Sequence, residues 1–119
     1  MADPSRFHKL VSETKSHVKE VSAAEANERR SQGTVLIDVR EADEFANGHA
    51  QGAVHLSRGV LEMRIESAVP DVNTPIVCYC GGGMRSVLAA ENLQKMGYTN
   101  VASMAGGMRA WREEGLPTE

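Results

Sequence analysis

A chain of 119 residues, 41% apolar and 24% charged, has the size and composition of one folded domain, which argues against disorder. Its 13 basic and 16 acidic residues leave a net charge of −3, a poor basis for a nonspecific grip on nucleic acid. The longest apolar run, Ile76 to Cys80, is five residues, against about twenty for a membrane-spanning helix, and Met1 to Arg6 leads into mixed polar sequence unlike an export signal.

No repeat or low-complexity tract divides the chain. The first segment reads as a helix in which Asp3 caps, Pro4 takes the first helical position, and Phe7, Leu10, Val11 and Thr14 share a face that packs on the remainder. A short strand over Val18 to Val21 follows. Ser22 and Glu25 then form a capping box at the start of a helix that Gly33 should stop. Thr34 to Asp38 is a β-branched apolar run ending in a charge, as in a strand covered on both faces. A helix is expected over Glu41 to Asn47, a strand at Ala53 to His55, a helix over Gly59 to Glu66, and a second buried strand over Pro75 to Tyr79. Arg85 to Met96 reads as a helix with Ala89, Ala90, Leu93 and Met96 on one face and Gly97 closing it. A last strand at Val101 and Ala102 and a helix from Met108 to Glu114, stopped by Gly115, complete the chain. Strands and helices alternate throughout, which predicts an α/β fold with a parallel sheet and right-handed crossovers.

In open parallel sheets functional groups gather beyond the C-terminal strand ends. Two such ends carry unusual residues: Asp38-Val39-Arg40, and Cys80-Gly81-Gly82-Gly83-Met84-Arg85-Ser86. In the second, a cysteine leaves a buried strand, three glycines turn the chain, and a helix begins. Glycines allow successive backbone N–H groups to point inward, forming an anion-binding nest at the positive end of the helix, with the Cys80 sulfur at its mouth. An ordinary thiol is only a few per cent ionised at neutral pH. Lowering its pKa by two units takes about 2.7 kcal/mol of preference for the anion. A helix dipole supplies roughly 0.3–1 kcal/mol, so loop N–H donors, worth about 1.5–3 kcal/mol each to a charged acceptor, must add to it. These features make Cys80 a candidate nucleophile. Cys78, inside the strand, reads as buried filler, and a Cys78–Cys80 disulfide is disfavoured because side chains two apart on a strand run parallel.

Other readings of the loop fit less well. A phosphate-binding P-loop ends in Gly-Lys-Ser/Thr, but no lysine occurs between Lys19 and Lys95. A dinucleotide fingerprint would place Gly where Ser86 stands. Two cysteines and the scattered His8, His17, His49 and His55 give no metal-ligand spacing.

These residues resemble the rhodanese family in its single-domain form. The resemblance runs from Val18 to Pro117 through Leu36 to Glu41, Glu44-Phe45, Gly48 to Leu56, Cys80 to Ser86, Met96-Gly97-Tyr98, and Gly106 to Trp111. It implies a small α/β domain over residues 18–117, a central parallel sheet flanked by helices on both faces, with residues 1–17 as an extra helical extension. It also implies sulfur transfer through a Cys80 persulfide, without cofactor or metal. The donor would be thiosulfate or a similar small molecule, and the acceptor cyanide or a thiol; a thiol-bearing protein partner is among those it admits. Nucleic acid and membrane are not expected partners, and the expected location is cytoplasmic. Gly81, Gly82, Gly83, Met84, Arg85 and Ser86 would bind substrate and persulfide. Arg85 would add positive potential and pair with Asp38; Arg40 and Glu44 would support the fold through local pairing; Arg58 would contact an anion at the site mouth. The sequence departs from the common pattern at Gly81 and Gly82, where side chains are frequent, and at Gln51, where proline is. Two alternatives remain open. Cysteine phosphatases and arsenate reductases of related fold place five residues between cysteine and arginine, where here Gly81 to Met84 make four. A non-catalytic rhodanese-like module would lack the nucleophile.

Overall fold

The computed structural model describes residues 5–119. In chain order the elements are α1 (Arg6–Lys15), β1 (Lys19–Val21), α2 (Ala23–Arg30), β2 (Val35–Asp38), α3 (Ala42–Ala46), β3 (Val54–His55), α4 (Leu61–Ala68), β4 (Ile76–Tyr79), α5 (Arg85–Lys95), β5 (Val101–Met104) and α6 (Gly107–Glu113). The strands form one sheet of order β1-β5-β4-β2-β3, and each neighbouring pair is parallel. β4 lies at its centre, with all four residues buried.

Alternation along β4 divides the core into two layers. Ile76, Cys78 and Cys80 face Leu61 and Ile65 of α4 and Val87, Ala90 and Leu93 of α5. Val77 and Tyr79 face the opposite way, toward Ala23 and Ala26 of α2 and Met108 and Trp111 of α6. Every strand of the central three is therefore covered on both sides, which is why their sequences show no polar alternation. Trp111 is fully buried and its indole N–H donates to the Pro117 carbonyl at 2.8 Å.

Most expected boundaries hold to within two residues, and the differences have local causes. Asp3 and Pro4 lie outside the described residues, and the side chain that caps α1 is Ser5, whose hydroxyl accepts from the His8 N–H at 3.1 Å. Of the expected α1 face, Val11 and Thr14 are buried against the α5 layer while Phe7 and Leu10 are exposed. The α-helical part of α2 ends at Arg30, but the chain turns at Gly33 as expected: the N–H of Thr34 donates to the Arg29 carbonyl and that of Gly33 to Arg30, a Schellman closure. Tyr98 and Leu93 close α5 in the same way. β5 runs on to Met104 because β1 pairs with it as far as Val21. Among the described residues no helix is long and apolar enough to cross a membrane.

Candidate active site

Cys80 follows β4 directly, and the loop after it ends where α5 begins at Arg85. Cys80 is only 1% exposed. Its Sγ accepts a hydrogen bond from the Gly83 N–H at 3.2 Å and lies 3.5 Å from the Ser86 Oγ. The Ser86 hydroxyl in turn lies 2.8 Å from that of Ser103 on β5, and both serines are fully buried. Burial by itself would push the Cys80 thiol up. The Ser86 hydroxyl and the backbone N–H groups of Ser86, Gly83 and Gly82 outweigh it, so the thiol ionises below its ordinary value of 9.0. Cys78, two residues earlier, lacks such donors, and burial pushes it up to about 12. Both cysteines are free thiols.

What aims the loop is α6. The N–H of Met108 donates to the Cys80 carbonyl at 2.8 Å and that of Arg109 to the Gly81 carbonyl at 3.1 Å. A peptide unit holds its C=O and N–H on opposite edges, so drawing these carbonyls toward α6 turns the following amides the other way, into the loop. Such a close approach requires glycine at position 107: φ is +54°, and a Cβ there would collide with the Cys80 carbonyl oxygen and lie 2.8 Å from the Gly81 carbonyl carbon. Gly83 has φ +98°, and a Cβ there would lie 2.9 Å from the Gly106 nitrogen. Gly81 and Gly82 have no such constraint; a Cβ on Gly82 would meet nothing within 4 Å.

The expected Arg85–Asp38 pair is not formed. Asp38 is saturated locally: its carboxylate accepts from the Arg40 backbone N–H at 2.9 Å, from Nε at 3.1 Å and from Nη2 at 2.8 Å. Two residues apart at one strand end, these side chains meet without any loop having to close, and Arg40 Nη2 also donates to the Gly48 carbonyl at 2.8 Å. Arg85 instead forms a two-pronged pair with Glu44 of α3, both contacts at 3.2 Å, which holds the Glu44 carboxyl below the usual carboxylate range. Glu44 thus pairs across the site as well as locally, where its Oε1 accepts from the Glu41 N–H at 3.1 Å in the capping box of α3. Arg58 donates to Glu62 Oε2 at 2.8 Å, and that oxygen also accepts from Asn92 at 2.7 Å. A cleft of about 480 Å³ opens over the loop, lined by Arg40, Glu44, Gly81, Gly82, Met108, Arg109, Arg112 and Glu113. Neither Arg58 nor Cys80 itself is part of that lining, which meets the loop at Gly81 and Gly82.

This buried cysteine in an amide-lined loop at the end of a central parallel strand accompanies a match to the Rhodanese-like domain over residues 22–114. The chain belongs to the rhodanese-like family. It is 37% identical over 97 residues to a thiosulfate sulfurtransferase GlpE of Pseudomonas entomophila, covering 82% of this chain and 87% of the relative. It is also 37% identical to a GlpE of Haemophilus influenzae over 85% of this chain and 94% of the relative. Among solved structures, a polysulfide-sulfur transferase homodimer from Wolinella succinogenes superposes with a TM-score of 0.82 at 31% identity, covering 95% of this chain and 86% of the other. A protein of unknown function from Rhodopseudomonas palustris, described as a possible tyrosine phosphatase, superposes at 0.88 with 30% identity, covering 100% and 99%. The rhodanese loop was legible as a motif, whereas Ser103, Arg109 and Arg112 were not singled out. Ser103 carried one signal, a small polar residue inside a buried strand; the two arginines look like any solvated helix face.

Proposed function

We propose that this rhodanese-family protein carries sulfane sulfur on Cys80, taking it from thiosulfate and giving it to a thiol or to cyanide. In the first half-reaction the Cys80 thiolate attacks the outer sulfur of thiosulfate. The new Sγ–S bond forms as the S–S bond of the donor breaks, its electron pair leaves with sulfite, and Cys80 is left as a persulfide anion. In the second, a thiophilic acceptor attacks the outer persulfide sulfur and the bonding pair returns to Cys80 Sγ. This is covalent, ping-pong catalysis. The inward amides of Gly82, Gly83 and Ser86 and the Ser86 hydroxyl would hold negative charge on sulfur in both halves. Arg85 adds positive potential beside the loop while Glu44 fixes its direction. The supporting observation is the 3.2 Å hydrogen bond from Gly83 N–H to a buried sulfur otherwise burdened by desolvation. Such a sulfur must stay reduced, which suits a cytoplasmic setting.

Intact-protein mass spectrometry tests the reading. Treatment with thiosulfate should add one sulfur atom, removable by dithiothreitol and absent in Cys80→Ser; no mass gain on the wild type refutes it. The description of the R. palustris neighbour motivates a phosphatase assay as the rival. Four residues separate Cys80 from Arg85, and the Arg85 guanidinium is engaged by Glu44. That leaves less of a cradle for a tetrahedral oxyanion, so p-nitrophenyl phosphate should show no Cys80-dependent turnover.

A further inference from the structure

We propose that the Arg109 and Arg112 guanidiniums form a subsite for the carboxylate of the sulfur acceptor, so that the protein discharges its persulfide preferentially to small carboxylate-bearing thiols. The inference rests on the persulfide reading above and names the acceptor class for the same site.

The cleft, which borders Cys80 through Gly81 and Gly82, is larger than the donor needs and large enough for a whole acceptor. Thiosulfate has five atoms, whereas about 480 Å³ falls within the roughly 300–1,000 Å³ of pockets that enclose whole organic ligands. The charges around it are not equally available. Arg40 is consumed by Asp38 and the Gly48 carbonyl, and Glu44 by Arg85. Arg109 is exposed and, among the described residues, its guanidinium has no hydrogen-bond or ion-pair partner. Arg112, three residues on and so on the same side of α6, has only a 3.4 Å contact to the Gly48 carbonyl. Glu113 is the opposing free charge, which leaves two cations against one anion. Position decides the rest: the Arg109 backbone N–H is bonded to the Gly81 carbonyl, so this cation is anchored to the residue that follows Cys80. Gly81 and Gly82 offer no side chain of their own, which leaves the α6 arginines as the free cations of the lining. An acceptor whose thiolate reaches the persulfide would set a carboxylate a few bonds away against them. The thiolate bonds to the outer sulfur of the Cys80 persulfide anion, the Cys80 S–S bond breaks with its electron pair on Sγ, and the acceptor leaves as a persulfide anion while Cys80 returns to the thiolate. Atoms and charge balance with no further reactant.

The test uses protein loaded with thiosulfate and checked by mass; failure to load refutes the persulfide reading and this inference with it. Single-turnover unloading is then measured with 3-mercaptopropionate and 2-mercaptoethanol, which differ in charge. The intrinsic reactivity of each thiol cancels when the ratio of the two rate constants is compared between proteins. In Arg109→Gln/Arg112→Gln the ratio should fall about fivefold, the combined worth of two exposed ion pairs, and 0.5 M NaCl should shrink the wild-type ratio likewise. Glu113→Gln should raise it. A protein that loads normally but keeps its ratio in both variants overturns the inference and leaves the persulfide reading intact.

Discussion

Ser86→Ala tests the electrostatics of the site most directly. The serine hydroxyl lies 3.5 Å from Cys80 Sγ and 2.8 Å from Ser103 Oγ, so it can donate to the sulfur while accepting from Ser103. A hydrogen bond to a charged group is worth about 1.5–3 kcal/mol. The long contact to sulfur places this one at the low end, about 1.5 kcal/mol, which raises the ionisation midpoint by about one pH unit. The amides of Gly82, Gly83 and Ser86 remain, so the thiol does not revert fully. Below both midpoints the thiolate fraction falls about tenfold. A more basic thiolate is also more nucleophilic, with a Brønsted slope of about 0.4–0.5, which recovers about threefold. The alkylation rate with iodoacetamide should therefore drop only about threefold at low pH, and at high pH, where both proteins are ionised, the variant should be about threefold faster. The two pH–rate profiles must cross. Mass spectrometry assigns the alkylated residue, and Cys78, fully buried and pushed up to about 12, stays silent. Ser103→Ala, which keeps the donor but removes its partner, should shift the profile the same way by less. Superimposed profiles, or a Ser86→Ala midpoint displaced to lower pH, would refute the argument that this hydroxyl stabilises the thiolate.

Three further substitutions probe the loop and its neighbours. Gly107→Ala forces a methyl group onto the Cys80 and Gly81 carbonyls at positive φ; strain and overpacking should cost about 3 kcal/mol in urea unfolding, and a cost below about 1 kcal/mol would mean that the contact relaxes cheaply. Gly82→Lys places its side chain in open space at a permitted φ, so stability should change by less than about 0.5 kcal/mol while kcat/KM for thiosulfate rises, because a free cation joins the cleft; a fall in kcat/KM would count against charge as the limiting feature there. Glu44→Gln removes the anionic partner of Arg85. The Glu44 carboxyl is depressed in the folded protein, so its contribution is complete above the ordinary value of 4.5 and is lost as pH falls through the folded value. The pair is about one-third exposed, and screening reduces it to about 0.5 kcal/mol. Wild type and variant should therefore differ at pH 7 and converge in acid; a gap that widens in acid contradicts the sign.

The sequence was most readable where one local cause sufficed. Val35 to Ile37 and Ile76 to Tyr79 are apolar without alternation because helices cover both of their faces, and the structure places them side by side at the sheet centre. The Cys80 loop was legible for the same reason: a nucleophile, glycines and a helix start are contiguous in the chain. Pairing across the site was not. The expectation for Arg85 chose Asp38, the nearest strand-end carboxylate, but Asp38 had a neighbour two residues away that satisfied it without loop closure. Glu44 is 41 residues from Arg85, and only the docking of α3 against the loop brings them together. Ser103 was hidden similarly, since its hydroxyl has a function only once β5 lies beside β4. The exposed Phe7 and Leu10 of α1 mark the limit of a helical pattern, which identifies an apolar face but not how much of it the domain is wide enough to cover.

One helix links thiolate stability to acceptor choice. The Arg109 N–H holds the Gly81 carbonyl, which keeps the loop amides turned toward sulfur, while the Arg109 side chain faces the cleft. An anion that pulls on this guanidinium therefore pulls on the residue that orients the nest. The backbone bond survives substitution of the side chain, so replacing Arg109 should alter which thiol is served without altering how Cys80 ionises, whereas Gly107→Ala displaces the backbone and must disturb both. The two variants consequently separate the functions that α6 combines: the pH profile of Cys80 alkylation responds to the glycine, and the ratio between anionic and neutral acceptors responds to the arginine.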